Sequence, residues 1–202
     1  MSKIGIMGGT FNPVHTAHLI LAETAYEQLG LDKILFMPSK KPPHKMHESI
    51  VSDEHRIQMV QLAIQDNPHF VLSYAELNRE GVTYTADTLE ELSSQNPKDA
   101  YYFIMGGDSL FQLETWWKPN KILSLSRVAV AVRGYETIEG YKDQIAYLSK
   151  KYNTDIQLLA TPNLDISSRD LREKRKQGKS IRYYVPETVY NYIVDNHLYQ
   201  GD

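Results

Sequence analysis

Residues 4–18 read IGIMGGTFNPVHTAH, and this stretch decides the fold. It begins with a short apolar run, Ile4 to Met7, which predicts a buried strand. Two glycines follow, and His15 and His18 then stand where an amphipathic helix pattern starts. Glycines let a backbone approach phosphate oxygens closely, and a helix N-terminus offers free N–H groups and a positive dipole end. Because residues three apart share one helix face, both imidazoles can direct N–H donors at one anion. The stretch therefore predicts a nucleotide-phosphate site rather than a tight turn with two surface histidines.

Length and composition favour one enzyme-sized domain. The 202 residues are enough to bury a full core, and 42% of them are hydrophobic. A net charge of −3 gives no global reason to expect nucleic acid or an anionic membrane as a partner. The absence of cysteine excludes disulfides, thiolate catalysis and a cysteine-bound metal. No apolar run approaches the roughly 20 residues of a membrane span, and no signal-like segment precedes the first strand. We therefore expect a cytoplasmic protein with a single domain over residues 1–202.

The remaining chain alternates short apolar runs with helical patterns. Further strands are predicted at residues 33–37, 69–72, 101–105, 127–132 and 156–160, and helices at about 16–29, from Ser52, near Thr85, from Ser167 or Ser168, and from Pro186. This alternation predicts an α/β fold, a single Rossmann-like doubly wound parallel sheet with helices on both faces and a C-terminal helical segment. Such sheets bind ligands at the carboxyl ends of their strands, so we expect the site there.

A second candidate group follows the last predicted strand. Ser167 and Ser168 stand at a predicted helix start, and Arg172 lies one turn further along. Hydroxyl groups, backbone N–H groups and a guanidinium at one point suit the β- and γ-phosphates of a triphosphate. Taken alone, the pattern also fits a capped helix with a basic solvent-facing surface. Together with the glycine–histidine stretch it favours a triphosphate site, because one ligand needs both ends held.

Three shorter features complete the candidate site. Lys45 lies on a proline-stiffened loop and suits a phosphate, although a solvated loop lysine fits equally well. Asp108 follows Gly106 at the end of a predicted strand, where a carboxylate can accept ribose hydroxyl groups or cap the next turn. Trp116-Trp117 falls in a short segment that Pro119 closes. A tryptophan there can stack on a heteroaromatic ring or belong to the core.

The motifs together resemble those of a known enzyme family. GTFNPVHTAH resembles the GTFxPxHxxH signature of the nucleotidyltransferase superfamily, whose members transfer a nucleoside monophosphate from a triphosphate. The segments GGTFNPVHTAHL, KPPHK, REGVTYTADTL, GGD, WW and ISSRDLR, in that order, resemble bacterial nicotinate-mononucleotide adenylyltransferases over nearly the whole chain. Related transferases for pantetheine phosphate or glycerol phosphate share the histidine turn but are shorter. Asn12 stands where many members have aspartate, and we interpret it as a structural turn residue.

The resemblance implies a role for each candidate residue. The ATP side would comprise Gly8, Gly9, Thr10, His15, His18, Lys45, Gly106, Asp108, Ser167, Ser168 and Arg172. Within that set, His15 and His18 would act at the α-phosphorus, and Asp108 would face a ribose. The mononucleotide side would comprise Thr85, Trp117 and Arg133, with Trp117 stacked on the pyridine ring. Thr85 lies near a predicted helix N-terminus, which suits the carboxylate of nicotinate better than a neutral amide.

The resemblance also implies the reaction and its partners. ATP and nicotinate mononucleotide would give deamido-NAD and pyrophosphate by in-line attack of the mononucleotide 5′-phosphate on the ATP α-phosphorus. Mg²⁺ would enter with the triphosphate, because the motifs offer no cluster of carboxylates. The alternatives are a preference for nicotinamide mononucleotide, a pantetheine phosphate acceptor, and a non-catalytic ATP-binding sensor. Nucleic acid and membrane are not expected partners. The tyrosine-rich C-terminal region could pack inward or form the interface of a homo-oligomer.

Overall fold

One parallel sheet organises the molecule. The computed structural model describes residues 1–40, 50–132 and 137–201. Its strands are β1 (Lys3–Gly9), β2 (Lys33–Pro38), β3 (Phe70–Leu72), β4 (Ala100–Gly106), β5 (Arg127–Ala131) and β6 (Ile156–Leu159). They lie in the order β3-β2-β1-β4-β5-β6, and every neighbouring pair is parallel. This is the strand order of a Rossmann-like doubly wound sheet, so the predicted fold class is confirmed.

Helices cover both faces of this sheet. The described part of the chain contains α1 (Thr16–Leu29), α2 (Asp53–Ile64), α3 (Thr85–Gln95), α4 (Gly107–Gln112), α5 (Pro119–Leu125), α6 (Ile138–Tyr152), α7 (Ser168–Lys176) and α8 (Glu187–Asp195). On one face, apolar residues of α1, α2 and α8 pack around Phe36 and Ile104. On the other face, residues of α3 to α6 pack around Ile6 and Phe103. No helix in the described ranges is long and apolar enough to cross a membrane.

Local signals in the sequence set several helix ends. Gly30 ends α1 with a φ of 59°, the left-handed conformation that glycine adopts without strain. Ser52 is the N-cap of α2, and its hydroxyl group accepts the backbone N–H of His55. We expected the last helix to start at Pro186. The helix begins one residue later, and Pro186 is its N-cap.

Helices α4, α5 and α6 are not among those predicted from the sequence. We expected Pro119 to close the tryptophan segment, but it is the first residue of α5, where the missing N–H of proline costs nothing. The short helix α4 begins with a glycine, so its sequence carries little helix propensity. The longer helix α6 has a readable signal, because Tyr141, Ile145 and Leu148 recur at helical spacing.

The fold places two glycine-bearing turns at one crevice. In the strand order, β1 and β4 are the central neighbours, from which the chain winds outward in both directions. Such a switch point leaves a crevice beyond the carboxyl ends of the strands. The strand β1 ends at Gly9 and β4 ends at Gly106. The residues that follow these two strands therefore face the same space.

Candidate active site

Two adjoining cavities open at the carboxyl ends of β1 and β4. The first has a volume of about 180 Å³ and the second a volume of about 530 Å³. Four residues line both cavities: Gly8, Phe103, Ser109 and Trp116. The cavities thus share a wall, and two ligands that occupy them would meet beside the end of β1.

The first cavity contains both predicted histidines. His15 is the N-cap of α1 and His18 lies in the first turn of that helix. Both line the cavity together with Gly8. The two imidazole rings stack, with centroids 3.7 Å apart and an interplanar angle of 29°. Phe11 meets the His18 ring edge-on at a centroid distance of 5.1 Å, which gives this ring a second aromatic contact.

A backbone hydrogen bond sets the orientation of His18. The N–H of His15 donates to Nδ1 of His18 over 3.2 Å. A ring nitrogen that accepts a hydrogen bond carries no proton, so the proton of the neutral ring is on Nε2. We expected free backbone N–H groups at this helix start, but those of Thr16 and His18 are bonded to backbone oxygens at 2.9 Å. These two N–H groups are therefore engaged within the protein, and the imidazole side chains and the positive end of the α1 dipole can still serve an anion.

Arg56 supports the loop between β1 and α1. Its guanidinium belongs to α2, is fully buried, and donates from Nη1 to the carbonyl oxygen of Thr10 over 2.8 Å. Its Nη2 donates to the Asp53 carboxylate over 2.5 Å, which balances the buried charge. Because Thr10 lines the second cavity, Arg56 fixes the backbone where the loop meets that cavity. Arg56 was not predicted from the sequence, since it lies within an ordinary amphipathic helix pattern.

The serine–arginine motif contacts the same loop from α7. Ser168 donates to the carbonyl oxygen of Pro13 over 2.8 Å, and Arg172 donates to that of Asn12 over 2.9 Å. Ser167 is the N-cap of α7, and its hydroxyl group accepts the backbone N–H three residues further on. These serines and Arg172 lie behind the loop, outside the residues that line the two cavities. The cap interpretation accounts for Ser167, and the role of the motif toward a triphosphate stays a prediction.

The second cavity contains two of the predicted pyridine-binding residues. Thr85, the first residue of α3, and Trp117 line it together with Trp116. Trp117 is 52% exposed and its ring tilts against that of Tyr84, with centroids 5.5 Å apart. Trp116 is partly buried and stands edge-on to Phe103 at 6.0 Å. Aromatic walls and the positive end of the α3 dipole suit a ring that bears a negative substituent.

Glu76 brings a buried carboxyl group into the second cavity. It is 9% exposed, and its Oε1 accepts the Thr88 hydroxyl group over 3.1 Å. Arg79 in turn donates to the Thr88 oxygen over 2.9 Å, which links the three side chains. Burial raises the pKa of Glu76, while hydrogen bonds from Thr88 and Thr83 and the charge of Arg79 oppose that rise. The cavity thus contains an ionisable group whose charged form is disfavoured.

The chain matches a known family over most of its length. Residues 6–174 match the family model described as cytidylyltransferase-like. A protein of Lachnoclostridium phytofermentans named "Probable nicotinate-nucleotide adenylyltransferase" is 49% identical, over 98% of this chain and 100% of the relative. A protein of the same name from Carboxydothermus hydrogenoformans is 38% identical, over 98% of each chain. The chain belongs to the nicotinate-nucleotide adenylyltransferase family.

Solved structures share this fold. Plasmodium falciparum nicotinic acid mononucleotide adenylyltransferase complexed with NaAD superposes with a TM-score of 0.82 at 20% identity, over 98% of each chain. The same Plasmodium protein complexed with APC gives a TM-score of 0.80 at 20% identity, again over 98% of each chain. At this identity the likeness shows the fold alone. The six-stranded parallel sheet is therefore common to these proteins and to this member of the nicotinate-nucleotide adenylyltransferase family.

Most residues that the sequence predicts for the site gather at the carboxyl edge of the sheet. Those that line at least one cavity are Gly8, Gly9, Thr10, His15, His18, Thr85, Gly106 and Trp117. Asp108 lies exposed in the first turn of α4, beside Ser109, which lines both cavities. Lys45 and Arg133 lie outside the described residues. The roles of all these residues toward ligands stay predictions.

Sequence reasoning missed other parts of the cavity walls. Thr161, Pro162 and Leu164 follow β6 and line the first cavity. Their position directly after a parallel strand is a signal that could have found them. Phe103 reads as an ordinary core residue of a buried strand, and no local signal separates it from its neighbours. Ser109 lies next to the GGD segment, but nothing in that segment says which of its residues faces the cavities.

Proposed function

We propose that this chain transfers the adenylyl group of ATP to nicotinate mononucleotide, giving deamido-NAD and pyrophosphate. The observation that carries this proposal is the wall shared by two cavities at the switch point of the sheet. One cavity offers a histidine pair for phosphate, and the other offers aromatic side chains and a helix N-terminus for a charged ring. The shared wall brings together the two phosphates that must react.

ATP occupies the first cavity in this proposal. His18, whose Nε2 carries the proton of the neutral ring, lines this cavity together with Gly8, and the positive end of α1 begins beside it. Donors held in place there stabilise charge that develops on the transferred phosphoryl group. The apolar side chains of Ile20, Leu21 and Leu164 complete the lining and suit the faces of a purine base.

Nicotinate mononucleotide occupies the second cavity. Its pyridine ring stacks on a tryptophan, and its carboxylate lies toward Thr85 at the N-terminus of α3. The positive end of a helix dipole favours a carboxylate over a neutral carboxamide. This preference supports nicotinate rather than nicotinamide as the acceptor ring.

The reaction exchanges one phosphorus–oxygen bond for another. An oxygen of the mononucleotide 5′-phosphate attacks the ATP α-phosphorus in line, and a new P–O bond forms. The bond from the α-phosphorus to the bridging oxygen breaks, so pyrophosphate leaves with the electron pair. A phosphate monoester with a second pKa of about 6 is mostly dianionic at neutral pH, so no side chain has to remove a proton. The protein positions two polyanions and stabilises the charge on the moving group.

Mg²⁺ enters as part of the ATP complex. Among the described residues, no group of three or more histidine, aspartate or glutamate side chains is arranged to hold a metal ion. Mg²⁺ commonly keeps several waters and binds substrate phosphates rather than an all-protein cage. The chemistry of this site therefore supports an ion carried by the triphosphate.

The substitution His18→Ala tests the proposal. Loss of the Nε2–H donor is expected to lower kcat by about 10²- to 10³-fold, the effect of losing one oxyanion-hole donor. The measurement is pyrophosphate release with ATP, Mg²⁺ and nicotinate mononucleotide. His69→Ala is the matched control, because His69 stacks on Tyr26 outside the cavity linings, and its kcat should equal that of the wild type. Near-normal turnover in His18→Ala would contradict the assigned role.

A further inference from the structure

We propose that Tyr199 is a positioning residue, whose hydroxyl group holds the nucleotide loop in its active conformation through Asn12. The nucleotide loop is residues 10–15, between β1 and α1. The hydroxyl group of Tyr199 donates to Oδ1 of Asn12 over 2.8 Å. The expected effect on kcat rests on the proposed function, whereas the hydrogen bond between Tyr199 and Asn12 does not.

The C-terminal segment, residues 196–201, reaches the loop through the Asn12 side chain. Asn12 is 2% exposed, and its Oδ1 also accepts the backbone N–H of Val51 over 3.4 Å. The carboxamide thus lies between two distant segments of the chain. A buried amide oxygen that loses one of its donors is costly, so the loop conformation depends on this contact.

The carbonyl oxygens of the loop bond to other groups. Arg56 binds the carbonyl oxygen of Thr10, and Arg172 binds that of Asn12. Tyr199 bonds to the Asn12 side chain, an acceptor different from these two carbonyl oxygens. Burial raises the pKa of the Tyr199 phenol, and the charges of Arg172 and Arg56 oppose that rise. The phenol keeps its proton and remains a hydrogen-bond donor at neutral pH.

The C-terminal segment takes an unusual path to deliver this hydroxyl group. After α8, His197 and Tyr199 both adopt the left-handed conformation, with φ of 52° and 60°. Residues other than glycine adopt this conformation uncommonly, a tyrosine such as Tyr199 less often than a histidine, and it persists where the surroundings hold it. Between them, Leu198 is 8% exposed and belongs to the same core as Phe11 of the nucleotide loop. The turn thus buries Leu198 and directs Tyr199 onto Asn12.

The substitution Tyr199→Phe removes only the hydroxyl group. The loosened loop positions His15 and His18 less well, so kcat is expected to fall by about 3- to 10-fold, the usual range for one neutral hydrogen bond. The KM for nicotinate mononucleotide should stay within about twofold, because an interaction that serves the transition state lowers kcat rather than ground-state binding. Tyr192→Phe is the matched control. Its hydroxyl group bonds to Nδ1 of His55 over 2.9 Å, outside the loop, and its kcat should match the wild type.

Hydrogen exchange tests the contact without relying on the reaction. In the protein without substrate, amides of residues 10–18 should exchange faster in Tyr199→Phe than in the wild type or in Tyr192→Phe. Wild-type kcat together with wild-type exchange in Tyr199→Phe would overturn the proposal. Equal losses of kcat in the two variants would also overturn it, since they would show a general effect of the C-terminal region. If the wild type shows no adenylyl transfer, the proposed function fails, and the exchange result alone decides for or against Tyr199.

Discussion

At the scale of single residues, Glu76 is a carboxyl group whose surroundings oppose its charge. It lies in the second cavity, accepts the Thr88 hydroxyl group, and is shielded from water. Its pKa is raised by burial. A carboxyl group with a raised pKa in the folded state favours folding at low pH and loses that contribution as the pH rises through its folded pKa. At neutral pH, Glu76 therefore costs stability.

The substitution Glu76→Gln is expected to increase the free energy of unfolding at about pH 8, because glutamine keeps an acceptor for Thr88 without the buried charge. The gain should shrink as the pH falls toward about 4, because a carboxyl group with a raised pKa is protonated before the pH reaches the ordinary glutamate value of about 4.3. Urea unfolding across this pH range measures the difference in the free energy of unfolding between the variant and the wild type. Glu80→Gln removes an exposed charge from the same segment and should give no such pH-dependent gain. A gain from Glu76→Gln that does not change with pH would show that charge is not the cause.

The two tryptophans are expected to differ in their effects on the substrates. Trp117 lines only the second cavity, whereas Trp116 lines both. Trp117→Ala should raise the KM for nicotinate mononucleotide by about 2- to 10-fold, the worth of one aromatic stack, with little change for ATP. Trp116→Ala should raise the KM for both substrates. Steady-state kinetics with each substrate varied in turn makes the comparison, and an unchanged mononucleotide KM in Trp117→Ala would contradict its stacking role.

At the scale of elements, the start of α4 depends on a glycine for close packing. A Cβ atom at Gly107 would lie 1.9 Å from the Tyr141 hydroxyl oxygen and 2.5 Å from its ring carbons. Tyr141 belongs to α6 and is 1% exposed, so its ring has little room to move. At Gly106, one residue earlier, an added Cβ would meet no described atom within 4 Å. Close packing against Tyr141 therefore accounts for the glycine at Gly107 but not for the one at Gly106.

The substitution Gly107→Ala is expected to lower the free energy of unfolding by about 1–3 kcal/mol through overpacking, although alanine favours helices. Gly106→Ala should leave stability nearly unchanged, because its backbone is extended and its surroundings are open. Urea unfolding of the two variants measures the difference. Equal stabilities would show that Tyr141 moves aside without cost.

The same elements show how far local signals predict this fold. The run Ile4–Met7, the glycines after it and the histidine pair sufficed to place β1, the loop and α1, because each signal is local. The motif at Ser167 located the start of α7 within one residue. The structure of the tryptophan segment was harder to predict, because a proline such as Pro119 can mark the start of a helix as readily as the end of a segment. The sequence of helix α4 carries almost no local signal, and the helix instead packs closely against Tyr141 of α6.

At the scale of the whole molecule, the site is held together by segments far apart in sequence. The nucleotide loop is held by Arg56 of α2, by Ser168 and Arg172 of α7, and by Tyr199. These contacts join residues up to 187 positions apart, and no sequence spacing predicts them. The order of the strands also comes from long-range packing. The alternation of apolar runs and helices predicted the class of sheet and the edge that carries the site, but not the side chains behind the loop.

The central claim is that the two adjoining cavities join ATP to nicotinate mononucleotide. The most direct test is pyrophosphate release with ATP and Mg²⁺, run in parallel with nicotinate and nicotinamide mononucleotides. We expect turnover with nicotinate mononucleotide and a much lower kcat/KM with nicotinamide mononucleotide, because the carboxylate faces the positive end of α3. Comparable kcat/KM values for both acceptors would contradict the assigned acceptor chemistry. No turnover with either, from folded protein that still binds ATP, would contradict the proposed reaction itself.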